Sequence, residues 1–153
     1  MKKLLCTMFA LFAFSLGASA NEADDVMKVF DEYVKDANSY STSLPNYYVN
    51  GAKIIRVVNK KQGGQKAVII PYDRYLKELN GHSTLAKTVR YTNRYVNRKV
   101  QKQNADYKLT AMRIPRNDKI GLPSYFVFTK SGNTWKIKEE SMTTNVQAFL
   151  NAK

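Results

Sequence analysis

Four runs near the C-terminus decide how this chain is read: YVNRKVQKQ (95–103), DYKLTAMRI (106–114), SYFVFT (124–129) and TWKIKEESM (134–142). Each is rich in β-branched and aromatic residues, and each is bounded by turn-forming residues. The boundaries are Asn104-Ala105, the segment from Pro115 to Pro123, and Ser131-Gly132-Asn133. Such spacing predicts four consecutive antiparallel strands. Side chains in a strand alternate between its two faces. That alternation puts Tyr107, Leu109, Ala111 and Arg113 on one face of the second strand, and Trp135, Ile137, Glu139 and Ser141 on one face of the fourth. If those faces meet the rest of the protein, Arg113 and Glu139 are charges beside an apolar layer and need each other or another partner. A cavity lined by Tyr107, Tyr125 and Trp135, with Arg113 and Glu139 at its mouth, is the candidate ligand site that follows. A structural ion pair at the end of the sheet is the plainer alternative.

Upstream, Val26, Phe30, Tyr33 and Ala37 recur at helical spacing, and Glu22, Asp24 and Asp25 suit the positive end of a helix dipole, so residues 22–38 are expected to be helical. Leu44–Val49 is a short helix with Pro45 in its first turn. Ala52–Val58 and Lys66–Ile70 form a hairpin, and Gly63-Gly64 lies in its tip. This glycine pair lacks the spacing of a phosphate-binding loop. Tyr72, Tyr75, Leu76 and Leu79 mark another helix that Gly81 ends. Leu85 to Tyr91 adds a further helical turn, and Thr143–Ala152 a short closing helix.

The first twenty residues have a different purpose. Met1-Lys2-Lys3, an uncharged apolar run from Leu4 to Gly17, and Ala18-Ser19-Ala20 have the layout of a secretory signal cut after Ala20. The expected mature domain, 21–153, then contains no cysteine, because Cys6 is the only one in the chain. Disulfides, thiolate nucleophiles and cysteine metal sites are excluded from it. It also has no apolar run of membrane-spanning length. His82 is the only histidine, and no serine lies in a nucleophile motif, so neither a zinc site nor a catalytic triad is supported. No catalytic residue, metal or cofactor is assigned.

Charge is strongly asymmetric. The chain has 25 basic and 12 acidic residues and a formal charge of +13. Six of the acids (Glu22, Asp24, Asp25, Asp31, Glu32 and Asp36) lie in the first helix of the expected domain. Arg90, Arg94, Arg98, Lys99 and Lys102 form the densest basic run, interleaved with Tyr91 and Tyr95. A field of this kind attracts anionic partners.

The order helix, short helix, hairpin, helix, long antiparallel sheet resembles the nuclear transport factor 2-like, cystatin-related α+β superfamily over most of residues 22–144. The end of the chain, Ser124 to Ile137 with its strand, tight turn and Trp-x-Ile strand, is the most suggestive part. The resemblance implies an α+β fold with N-terminal helices packed on a curved, cone-like antiparallel sheet. Function varies widely on such a fold. Members resembling ketosteroid isomerase use pocket carboxylates with a tyrosine, and none of Asp73, Glu78, Asp106 and Asp118 aligns with such a site. The sequence therefore favours an exported, periplasmic, non-catalytic binding or interaction domain whose basic surface meets an anionic partner or envelope protein. Two alternatives stand beside it. One is a pocket protein for a small apolar ligand, a carrier or an isomerase- or hydrolase-like enzyme. The other is an accessory subunit of a secretion or conjugation assembly. A homodimer is compatible with each.

Overall fold

The computed structural model describes the backbone of residues 7–151 except 82 and 117, and the side chains of 21–80 and 86–151 except 117. His82 and the first six residues lie outside these. Helix α1 (Thr7–Asn38) leads through a 3-10 turn (Leu44–Tyr47) into β1 (Tyr48–Asn59) and β2 (Gln65–Ile70). Helices α2 (Tyr72–Gly81) and α3 (Ser83–Thr88) follow. Then come β3 (Asn93–Gln103), β4 (Asp106–Pro115), β5 (Leu122–Ser131), β6 (Thr134–Thr144) and a 3-10 turn (Gln147–Asn151). The expected helix 22–38 is the C-terminal half of α1, and the expected closing helix is the second 3-10 turn.

The six strands form one sheet in the order β2-β1-β6-β5-β4-β3. All neighbours are antiparallel except β1 and β6, which run parallel, so the sheet is mixed rather than wholly antiparallel. The chain leaves the first hairpin, crosses through α2 and α3, lays down a four-strand meander, and returns its last strand beside its first. The β1–β2 hairpin turns where Gly63 and Gly64 take positive φ (91° and 74°), and the Gly63 N–H closes onto the Lys60 carbonyl.

Burial on one sheet face explains why α1 holds its place. Val26 and Phe30 are fully buried and Tyr33 nearly so, along one stripe of the helix. Phe30 meets Tyr95 and Phe126 at ring-centroid distances of 5.1 and 4.9 Å. Below the helix lie Ile54, Leu109, Phe126, Phe128 and Ile137, each without exposed surface. Each such side chain gains about 1.5–3 kcal/mol from leaving water. The helix stops where Tyr40 enters the left-handed region (φ 61°). Its last residue, Asn38, exchanges two 2.9 Å hydrogen bonds with the backbone N–H and carbonyl of Asn93, which ties the end of α1 to the start of β3.

Three irregularities bend the sheet. β1 slips register between Tyr48 and Lys53, β3 between Val96 and Lys99, and the β5–β6 pairing between Val127 and Phe128. In β3 the extra residue is accommodated at Asn97, which has φ 54°. In β6, Phe128 faces Ile137 while Val127 faces Glu139, so Lys138 is the additional residue of a bulge. Bulges increase local twist and re-aim side chains. Here they decide which charges face inward.

Candidate functional site

The inner face of β1 alternates regularly after its irregularity: Ala52, Ile54, Arg56 and Val58 are all buried. That puts a guanidinium in the middle of an apolar row. Its counter-charge is Glu140 on β6, at 2.7 Å from Arg56 Nη2. Glu140 has no exposed surface, and Arg56 is only 8% exposed. The bulge at Lys138 is what turns Glu140 inward, because without the extra residue Glu139 would take that face. Parity read from the sequence alone therefore chose the wrong glutamate. Glu139 lies on the opposite face, where it accepts a 2.6 Å hydrogen bond from Tyr125 and lies 3.6 Å from Lys53 Nζ.

Around Glu140 the polar groups are matched almost completely. Tyr48 donates its hydroxyl proton to Oε2, and the Tyr75 hydroxyl lies 3.3 Å from both carboxylate oxygens and 3.1 Å from the Tyr48 hydroxyl. The Tyr33 hydroxyl lies 3.2 Å from the Tyr48 hydroxyl. Arg56 Nη1 donates to the Ile55 carbonyl at 3.0 Å, and the guanidinium stacks over the rings of Tyr75 and Phe149. Burial, reinforced by the Glu140 charge, pushes the phenols of Tyr33, Tyr48 and Tyr75 well above their ordinary value. Burial opposes the charge on Arg56, but Glu140 outweighs it and raises that pKa overall. The cluster is thus an ion pair with three neutral tyrosines, complete in itself.

Beside it is open space. Two compartments of about 310 and 400 Å³ share Ala37, Leu44, Arg56, Tyr75, Leu79, Tyr91 and Phe149 in their walls, so they are parts of one cavity. The end of α1, helix α2 and the inner sheet face enclose it, and Phe149 from the last 3-10 turn covers it. Its wall is mostly apolar. Tyr75 and Arg56 present the outer edge of the ionic cluster to it, whereas Glu140 is not among its wall residues. A carboxylate saturated by an arginine and two phenols, and out of reach of a ligand, is poorly placed as a general base. The deeper compartment also holds Tyr95, Asn93, Arg113, Met142 and Thr144.

The five ligand-site residues expected from the sequence are not brought together. Arg113 faces the cavity as the regular alternation of β4 predicts. Tyr107 and Trp135 pack edge-to-face at 5.2 Å in the core, and the Tyr107 hydroxyl donates to Glu22 on α1 at 3.1 Å. Tyr125 and Glu139 are on the far face of the sheet. Arg113 and Glu139 are not partners, since Arg113 donates to Tyr91, Asn93 and the Thr143 carbonyl. The cavity residues the sequence reading missed, Arg56, Tyr75, Leu79 and Phe149, come from three separate elements: β1, α2 and the last 3-10 turn.

The basic run is divided in the same way. The bulge at Asn97 sets Arg98 and Lys102 on the α1 side, where they meet Asp31 and Glu22. Arg90, Arg94 and Lys99 are exposed. Part of the expected anionic-partner surface is therefore matched within the chain by the acids of α1. Among the described residues, no group of three or more His, Cys, Asp or Glu lies close enough to hold a metal ion, and no helix is long and apolar enough to cross a membrane.

No protein-family model matches the chain, and no curated protein matches it significantly. Solved structures do. An NTF2-like protein with a cystatin-like fold from Novosphingobium aromaticivorans superposes with TM-score 0.64 at 9% identity, covering 99% of this chain and 96% of that one. This chain has the NTF2-like fold. An NTF2-like protein of unknown function from Shewanella baltica matches at TM-score 0.56 and 10% identity, over 80% of this chain and 93% of that one. A protein provisionally assigned as a scytalone dehydratase, also from N. aromaticivorans, matches at TM-score 0.59 and 13% identity, over 83% and 86%. At these identities the likeness extends to the NTF2-like fold and not to a shared activity.

Proposed function

We propose that this protein is a small-molecule binding protein whose ligand occupies the cavity between α1, α2 and the inner sheet face. The observation that carries this reading is the cavity's construction. It has the volume of a small-ligand site, predominantly apolar walls, and a few polar groups held in place by a saturated ionic cluster. The completeness of the Glu140 cluster favours binding over catalysis, and the acid that does line the cavity among the described residues, Glu78, is paired with Arg74 at 3.0 Å. The leader pattern of residues 1–20 supports action outside the cytoplasm, with the domain released after Ala20. A surface for an anionic macromolecule through Arg90, Arg94 and Lys99 is less favoured, because Arg98 and Lys102 are already turned against α1.

A neutral naphthylamine fluorophore tests the reading. It is expected to bind one per chain, with a blue-shifted emission. Ala37 lines both compartments, so Ala37→Trp is expected to weaken binding at least tenfold while the far-UV spectrum and melting temperature stay close to those of the parent. Leu79→Trp is the second blocking variant. No saturable binding to the parent, or equal binding by both blocked variants, would overturn the proposal.

A further inference from the structure

The chain buries two guanidinium groups against this cavity, and they differ in one respect. Arg56 has its counter-charge in Glu140. Arg113, 5% exposed, has none: among the described residues no carboxylate lies within 4.0 Å of it. Its three partners are neutral, the Tyr91 hydroxyl at 3.0 Å, the Asn93 side-chain oxygen at 2.9 Å and the Thr143 carbonyl at 2.9 Å. Its Nε is buried and makes no hydrogen bond. A plain structural role as a strut between β3, β4 and the end of β6 accounts for the three bonds that are made. It does not account for a full positive charge held out of water without a counter-ion, which is costly, nor for the idle donor.

We propose that the ligand is an apolar monoacid whose carboxylate pairs with Arg113. The inference rests on the cavity-binding reading above and specifies its ligand class. One uncompensated guanidinium supplies one charge, which suits a carboxylate better than a phosphate dianion, and its planar fork matches carboxylate geometry. Beside its polar groups, the compartment that holds Arg113 presents Val34, Leu44, Leu79, Met142 and Phe149, and its other guanidinium, Arg56, is already paired with Glu140, so the body of the acid is apolar. Tyr91 and Val146, which line the same compartment, are both substantially exposed, and the positive excess of the chain steers anions toward the protein.

The test compares naphthoate with its neutral isostere naphthamide, titrated calorimetrically into the full chain at neutral pH. The parent is expected to bind the carboxylate roughly tenfold or more tightly than the amide, the effect of one charge-assisted contact. In Arg113→Met that ratio is expected to fall to about one, with amide affinity changed by less than about threefold. Arg113→Lys keeps the charge without the fork and is expected to retain part of the preference. A parent ratio near one, or a ratio that survives in Arg113→Met, overturns the proposal. If Arg113→Met fails to fold, the parent ratio and Arg113→Lys decide. Amide binding without carboxylate preference removes only the monoacid inference, whereas failure of both the probes and the neutral fluorophore removes the cavity reading with it.

Discussion

Glu140→Ala is expected to lower the unfolding free energy by about 3–5 kcal/mol, because it leaves Arg56 charged, buried and without a counter-ion. The Tyr48 and Tyr75 hydroxyls lose their acceptor in the same step. Glu139→Ala, one residue away in sequence, is expected to cost less than about 1 kcal/mol, since its contacts lie at a partly exposed face. Urea midpoints of the two variants measure the contrast. Replacing the pair together, as Arg56→Met with Glu140→Leu, is expected to recover most of the loss, because apolar side chains of similar volume need no counter-charge. Equal losses for Glu139→Ala and Glu140→Ala would contradict the inward turn that the β6 bulge imposes.

The second large effect is expected at Phe126. It is fully buried and contacts Phe30, Tyr33 and Tyr95 with ring centroids 4.9, 5.7 and 5.9 Å away. Phe126→Ala therefore removes the floor beneath both α1 and two of the cavity's tyrosines. A loss of about 3–5 kcal/mol is expected from the missing burial and the void left behind. A loss below about 1 kcal/mol in chemical denaturation would show that the site collapses freely and that α1 is held elsewhere.

Much of this fold was legible because its signals are local. The stripe of Val26, Phe30 and Tyr33 identifies α1, and the regular alternation of β4 correctly aims Arg113 inward with Leu109 and Ala111. Alternation fails only where a strand carries an extra residue. In β6 the run Lys138-Glu139-Glu140 contains three consecutive charges, of which one must face the core, and period two alone selects Glu139. The bulge that selects Glu140 depends on pairing with β5, which no window of the sequence contains. The same is true of Arg98 and Lys102, which the Asn97 bulge turns toward α1.

One signal for the missed cluster was present. Ala52, Ile54, Arg56 and Val58 alternate as a buried row with a cation in it, and such a cation calls for a buried acid. What the sequence could not supply was the parallel pairing of β1 with β6 that brings Glu140 to it. The cavity is a still more distributed property. Its walls include residues of α1, both 3-10 turns, β1, α2, β3, β4 and β6, and no one of these segments indicates that they leave space between them.

The direct test of the account is where a ligand sits. Nitrogen- and methyl-detected NMR of the labelled chain, titrated with naphthoate, reports on both sheet faces at once. Shifts are expected at Ala37, Leu79 and Met142, together with the side-chain Nε–H of Arg113, while Lys108, Thr110 and Ser141 on the far face stay still. Shifts confined to that far face, with the Arg113 resonance unmoved, would contradict it.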